Sequence, residues 1–141
     1  MKIKIKQTDS SLPKPFYGHK GDAGFDLRTR EKVTVLSGEK VTLPTGLILE
    51  IPQGYVGLVW DKSGLSIKEG LKTLGGVIDS TYRGEVMVGV VNLSKQEYIF
   101  EKGDKIAQML IQKVEEVDFE EVDEVGSSDR GVKGFGSTGK R

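Results

Sequence analysis

Asp79 is the residue of this chain best placed to act as a general base. It follows Val77 and Ile78 in the stretch 75–93, GGVIDSTYRGEVMVGVVNL, where an apolar run gives way to a polar loop holding Tyr82, Arg83 and Gly84. A carboxylate carried on a loop between rigid strands can take a proton from water, and a short acid in that place can equally do no more than close the turn. Asp26, in DAGFDLR at 22–28, faces away from Phe25 and Leu27 if the stretch is a strand. Turned inward, it can hold a hydrated Mg²⁺, which favours one or two carboxylates, phosphate oxygens and several waters; turned outward, it is a solvated acid. In DKSGLS at 61–66, Lys62, Ser63 and the amide of Gly64 set a cation, a hydroxyl and an unhindered N–H in a row. Such a loop ahead of a helix suits an anion, and an N-cap serine without any ligand has the same pattern. Gln108 lies among small and apolar residues and needs a partner if it faces inward. His19 is the sole histidine, so it has no second imidazole for a metal cluster.

The elements that must position these groups read mostly as strands. KIKIK at 2–6 alternates charge with isoleucine, as an edge strand does, and its lysines blunt that edge. Pro13 and Pro15 force an extended segment. Residues 31–51 read as strand, SGEK turn and strand in a hairpin, and 53–60 as a further strand. Residues 66–73 read as the one short helix, with Ile67 and Leu71 at the i, i+4 spacing. The stretch 75–93 predicts a hairpin whose return strand, 86–91, is apolar and buried on both faces. Residues 97–100 and 106–117 predict a further strand pair, and Val117 and Phe119, at odd positions, present one apolar face amid acids.

Composition narrows the functions available. The chain has 141 residues, enough for one domain with its own core. Its 19 glycines, without a collagen period, point to many turns and short strands. Twenty-one basic and 21 acidic residues cancel, so no overall field recruits nucleic acid or an anionic membrane. The absence of cysteine excludes a disulfide scaffold, a zinc finger and a thiol nucleophile. No signal peptide or membrane span is legible, which predicts a cytoplasmic protein.

Residues 126–141 change character to glycine, serine and threonine with one aromatic, a composition that cannot make a core. They predict a flexible C-terminal arm beyond a core of residues 1–125. Residues 134–140, GFGSTGK, match seven positions of a P-loop, but the eighth is Arg141 where Ser or Thr must reach Mg²⁺. Arg130, Phe135, Ser137 and Thr138 could instead clasp a phosphorylated, stackable ligand.

In order along the chain, AGFDL at 23–27, KSGL at 62–65, GGVIDSTYRGE at 75–85, GDKIAQ at 103–108 and RGVKGFGSTG at 130–139 closely resemble the five motifs of the trimeric dUTP pyrophosphatase family. The resemblance implies an all-β, jelly-roll-like subunit with one short helix and a homotrimer whose active sites draw on several subunits. It also implies Mg²⁺-dependent hydrolysis of dUTP to dUMP and pyrophosphate, which limits uracil incorporation into DNA and supplies dUMP for dTMP synthesis. By the resemblance, Asp79 is the base that orients the attacking water, Asp26 binds the metal through water, and Gln108 acts near the α-phosphate. Lys62, Ser63 and Gly64 meet the phosphate chain, and Tyr82 packs under the deoxyribose, leaving no room for a 2′-hydroxyl. Backbone groups of Gly76, Val77 and Ile78 in a splayed hairpin read uracil. Arg130, Phe135, Gly136, Ser137 and Thr138 close over the substrate, the aromatic on the base.

The chain departs from the family pattern where Lys62 replaces an arginine, where Asp61 stands beside it, and where Lys133 replaces a glycine. Asp61 repels a triphosphate unless it turns away or pairs with Lys62. The related dCTP deaminases share the hairpin and an asparagine, here Asn92, but need a glutamate where Gly89 stands. A non-catalytic nucleotide-binding trimer is the reading from a different class, and it leaves Asp79 without a purpose.

Overall fold

The computed structural model describes residues 1–133. Its strands are β1 (Lys4–Gln7), β2 (Gly24–Arg28), β3 (Val33–Val35), β4 (Lys40–Glu50), β5 (Tyr55–Trp60), β6 (Leu71–Leu74), β7 (Val77–Ile78), β8 (Glu85–Asn92), β9 (Tyr98–Phe100) and β10 (Lys105–Lys113). The one helix among the described residues, α1 (Gly64–Lys68), is a single π-type turn between β5 and β6. The strands form two four-stranded antiparallel sheets, β1-β4-β8-β6 and β2-β10-β5-β7, and a two-stranded ladder, β3-β9. Expected and observed fold class agree: all-β, jelly-roll-like, with one short helix.

Alternation along the strands dictates the packing. Phe25 and Leu27 of β2, Val59 of β5 and Met109 of β10 point inward from one sheet, and Leu43, Val86, Val88 and Val90 point inward from the other. They meet in one core, where burying each such side chain contributes about 1.5–3 kcal/mol relative to leaving it in water. Gly57 of β5 leaves room in the core for its neighbours: a Cβ would sit 2.9 Å from Ile51 Cδ1 and 3.2 Å from Met109 Sδ. Among the described residues no helix is long and apolar enough to cross a membrane.

Several local expectations are corrected. The helix does not run over 66–73: Gly70, at φ +71°, ends the turn, and Leu71, which is buried, begins β6 opposite Asn92. Ile67 is exposed, so the i, i+4 pairing with Leu71 does not exist. The two limbs of the 75–93 hairpin are not ladder partners. β7 pairs with β5 in one sheet and β8 with β4 and β6 in the other, so the loop between them joins the sheets as a splayed corner. Within one chain β8 is buried on one face only, with Met87 exposed on the other.

Two more adjacent pairs separate in the same way. β3 pairs with β9 and not with β4, although Gly38 at φ +75° does make the tight turn between β3 and β4. β10 pairs with β2 and β5, not with β9. In each case short sequence separation suggested a hairpin, and burial of both apolar faces drew the strands apart instead. The last ladder ends at Lys113; Val117 and Phe119 beyond it are exposed.

Candidate active site

The outer face of the β2-β10-β5 sheet carries the polar residues, because the inner face is taken by the core. Register fixes them in a row: Gln108 of β10 stands opposite Asp26 of β2 on one side and Trp60 of β5 on the other. Just past Trp60 the chain turns, and Lys62 reaches back to a short ion pair with Asp26 Oδ1. Lys105 Nζ meets the other oxygen, Oδ2, at 2.7 Å. Burial opposes ionisation of Asp26, but the hydrogen bonds from Lys105 and Lys62 outweigh it and hold the carboxyl below its ordinary range. Gln108 Nε2 donates to the Asp61 carbonyl at 2.8 Å, which supplies the partner its position required. These side chains open onto a polar cavity of about 290 Å³, which Gly18 and His19 also line. The His19 backbone N–H donates to Asp22 Oδ2 at 2.8 Å, and its ring projects into solvent.

Asp61 does not disturb this cavity. Its Oδ1 accepts from both the backbone N–H and the hydroxyl of Thr73 at 2.7 Å, and Lys72 Nζ lies 2.8 Å from Oδ2. The carboxylate thus turns toward β6, tying it to the end of β5. Ser63 and Gly64 are exposed at the start of α1, and the Ser63 hydroxyl makes no capping bond.

A second group of candidate residues lies at β7. Gly76 adopts φ +110°, and a Cβ there would sit 2.7 Å from the Val59 carbonyl, so only glycine fits. Its own carbonyl accepts from the Val59 N–H at 2.8 Å. β7 is the edge of its sheet, which leaves backbone groups of Val77 and Ile78 facing outward, beside a cavity of about 180 Å³ lined by Trp60, Thr73, Gly75, Gly76 and Val77. Asp79 follows, exposed, with its carbonyl accepting from the Tyr82 N–H at 3.1 Å. The Tyr82 hydroxyl donates to the Glu85 carbonyl at 2.9 Å. That pins the ring over Gly84, where any side chain would collide with it.

One chain brings Asp26, Lys62 and Gln108 together, and Gly76, Val77, Ile78, Asp79 and Tyr82 together, but as two groups; Asp79 lines neither cavity. Arg130 is exposed, with Nε donating to the Lys133 carbonyl at 3.0 Å. Phe135, Gly136, Ser137 and Thr138 lie outside the described residues. Lys105 is the site residue that the sequence reading passed over. Its signal was present: Ile106 and Ala107, both apolar, interrupt the alternation between Lys105 and Gln108.

The donor set bears on the expected metal. Among the described residues no three His, Cys, Asp or Glu side chains gather where they could hold an ion. Asp26 is a single carboxylate with each oxygen paired to a lysine. That suits an outer-sphere contact to Mg²⁺ arriving on a phosphate chain, with its waters kept, rather than a caged ion.

A sequence model of the dUTPase family matches residues 10–139. The deoxyuridine 5′-triphosphate nucleotidohydrolase of Corynebacterium glutamicum is 46% identical over 141 residues, covering 98% of this chain and 95% of that one. The enzyme of the same name from Finegoldia magna is 44% identical, covering 99% of both chains. Among solved structures, the Staphylococcus bacteriophage 80alpha dUTPase with dUpNHpp superposes with a TM-score of 0.87 at 30% identity, covering 98% of each chain. A mutant dUTPase from phage phi11 of S. aureus, described as coordinating a structural Mg(II) ion, gives 0.83 at 27% identity, covering 90% of this chain and 100% of that one. With the match spanning nearly its whole length and its fold shared, the chain belongs to the dUTPase family.

Proposed function

We infer that this protein hydrolyses dUTP to dUMP and pyrophosphate, in a site assembled from more than one copy of the chain. The nucleotidohydrolase activity follows from family membership and from relatives near 45% identity over the full length. The observation that carries the shared-site reading is the separation of the two groups. The polar cavity at Asp26, Lys62 and Gln108 is built to take phosphates, whereas the β7 edge with Asp79 is built to take a base and an attacking water. A homotrimer that sets the β7 edge of one copy against the cavity of the next unites them. The exposed Met87, Leu74 and Leu93 support it, since these apolar side chains gain cover from a neighbouring copy.

In this reading the backbone groups of Gly76, Val77 and Ile78 pair with uracil. Cytosine would set donor against donor, leaving an unpaired buried group at a cost of about 1–3 kcal/mol. Tyr82, pinned by its bond to Glu85, closes the sugar pocket against a 2′-hydroxyl. Lys62, with Ser63 and Gly64, holds the phosphate chain, and Gln108 sits by the α-phosphate. Asp79 takes a proton from water as the water oxygen bonds to the α-phosphorus, the bond to the bridging oxygen breaks, and pyrophosphate leaves with the electron pair. Mg²⁺, held through water by Asp26 and by the substrate phosphates, would neutralise charge on those oxygens. Residues 126–141 act as an arm beyond a core of residues 1–125. Arg130, Phe135, Gly136, Ser137 and Thr138 close over the substrate and exclude bulk water.

Pyrophosphate release from dUTP, dCTP, dTTP and UTP in parallel, with Mg²⁺ and with chelator, tests the reading. Release from dUTP alone, abolished by chelator, is expected. Binding of dUTP without any release would replace it with a non-catalytic nucleotide-binding protein.

A further inference from the structure

Lys105 and Gln108 are three residues apart on β10, and on a regular strand they would point to opposite faces. The register shows why they do not: Lys105 pairs with Arg28, Ala107 with Leu27 and Gln108 with Asp26, so one extra residue is inserted between Lys105 and Ala107. This β-bulge lets Ile106 and Ala107 both enter the core, at 2% and 0% exposure. It also swings Lys105 onto the face of Asp26 and Gln108. Bulges beside functional sites commonly re-aim one side chain in this way. The ammonium group lines the same cavity as Lys62 and occupies the second oxygen of the same carboxylate.

Two cations on one carboxylate leave the cluster with surplus positive charge. The other acid at this cavity, Asp22, is held at its rim by the His19 backbone N–H at 2.8 Å and lies 3.5 Å from the His19 ring, so it is not part of that cluster. Lys62 is a point charge where a guanidinium fork would bind phosphate through two bonds. A second lysine across the same carboxylate restores the missing donor.

We propose that Lys105 is a second phosphate-binding residue, serving the β- and γ-phosphates of the substrate beside Lys62. This rests on the reading of the cavity as the phosphate subsite, and it adds a residue to which no role has been given.

The test compares wild type with Lys105→Gln, Lys105→Met, which keeps the apolar stem, and Lys105→Arg. The readouts are KM and kcat for dUTP, affinity for dUpNHpp, affinity for dUMP, and melting temperature. Losing a charge-assisted contact to phosphate should raise KM for dUTP and weaken dUpNHpp about tenfold or more in the Gln and Met variants. Affinity for dUMP, which lacks the β- and γ-phosphates, should stay within about twofold, and Lys105→Arg should restore both triphosphate readouts. Unchanged dUpNHpp affinity, or equal loss of dUMP and dUpNHpp, would overturn the proposal. If wild type itself neither hydrolyses dUTP nor binds dUpNHpp, the reading of the cavity fails with it; if wild type does both and Lys105→Gln does also, only the role of Lys105 fails.

Discussion

The carboxylate of Asp61 closes on Thr73, accepting from both its backbone N–H and its hydroxyl at 2.7 Å, and not on its sequence neighbour Lys62. That relationship leaves Lys62 to Asp26 and turns the Asp61 carboxylate toward β6. It also joins the end of β5 to β6 across α1.

The Asp61 bond has a pH signature. Burial disfavours its charged form, but the bonds from Lys72 and Thr73 outweigh that and hold its carboxyl below the ordinary value. A depressed folded pKa contributes stability that is fully present above the unfolded value, about 3.9, and is lost as pH falls through the folded one. Asp61→Asn should therefore melt at lower temperature than wild type at pH 7, by about 1–2 kcal/mol of stability. The gap should narrow below about pH 4. Thermal melts of both proteins from pH 7 to pH 3 check this, and a gap that widens in acid would refute the assignment.

Gly76→Ala should damage base binding before it damages the fold. Forcing a side chain to φ +110° against the Val59 carbonyl costs about 1–3 kcal/mol, relieved by pulling β7 off β5. In the proposed reading uracil pairs at that edge, so KM for dUTP should rise with a modest fall in melting temperature. A variant with normal KM would move uracil recognition elsewhere.

Lys62→Arg should tighten substrate binding. A guanidinium can keep its pair with Asp26 and still offer a second N–H to phosphate, so KM should fall about two- to tenfold with kcat little changed. Steady-state kinetics decide it; a raised KM would show that the pocket is shaped around lysine.

The strands were legible where period-two alternation survives: Phe25 and Leu27 in against Asp26 out is as clear in the letters as in the fold. Pairing was less so. VTVL and VTLPTGLILEI flank a good turn, yet their partners lie elsewhere in the chain, because a sandwich buries both sheets by crossing between them. Leu71 read as helical by its spacing from Ile67, and Gly70 between them was the sign to the contrary. The motif residues were legible one by one. Lys105 was harder to read, since only the apolar pair Ile106 and Ala107 marks the bulge that carries it to the face of Asp26. Nor could letters show that Asp79 and Asp26 belong to separate groups of one chain, which depends on β7 and β2 standing at opposite edges of one sheet.

The most direct test of the shared site mixes two disabled proteins. Asp79→Asn alone should lose about 10²–10⁴ in turnover with the fold kept, as the loss of a general base does; its side chain is exposed. Gln108→Leu disables the other group. Each is prepared alone, then the two are co-refolded at equal concentration and assayed for pyrophosphate release from dUTP. In a cyclic trimer, sites that join the intact Asp79 of one copy to the intact Gln108 of another should return about a quarter of wild-type activity. Activity no greater than the mean of the two separate variants would mean that Asp79 and Gln108 serve within a single chain, contradicting the account.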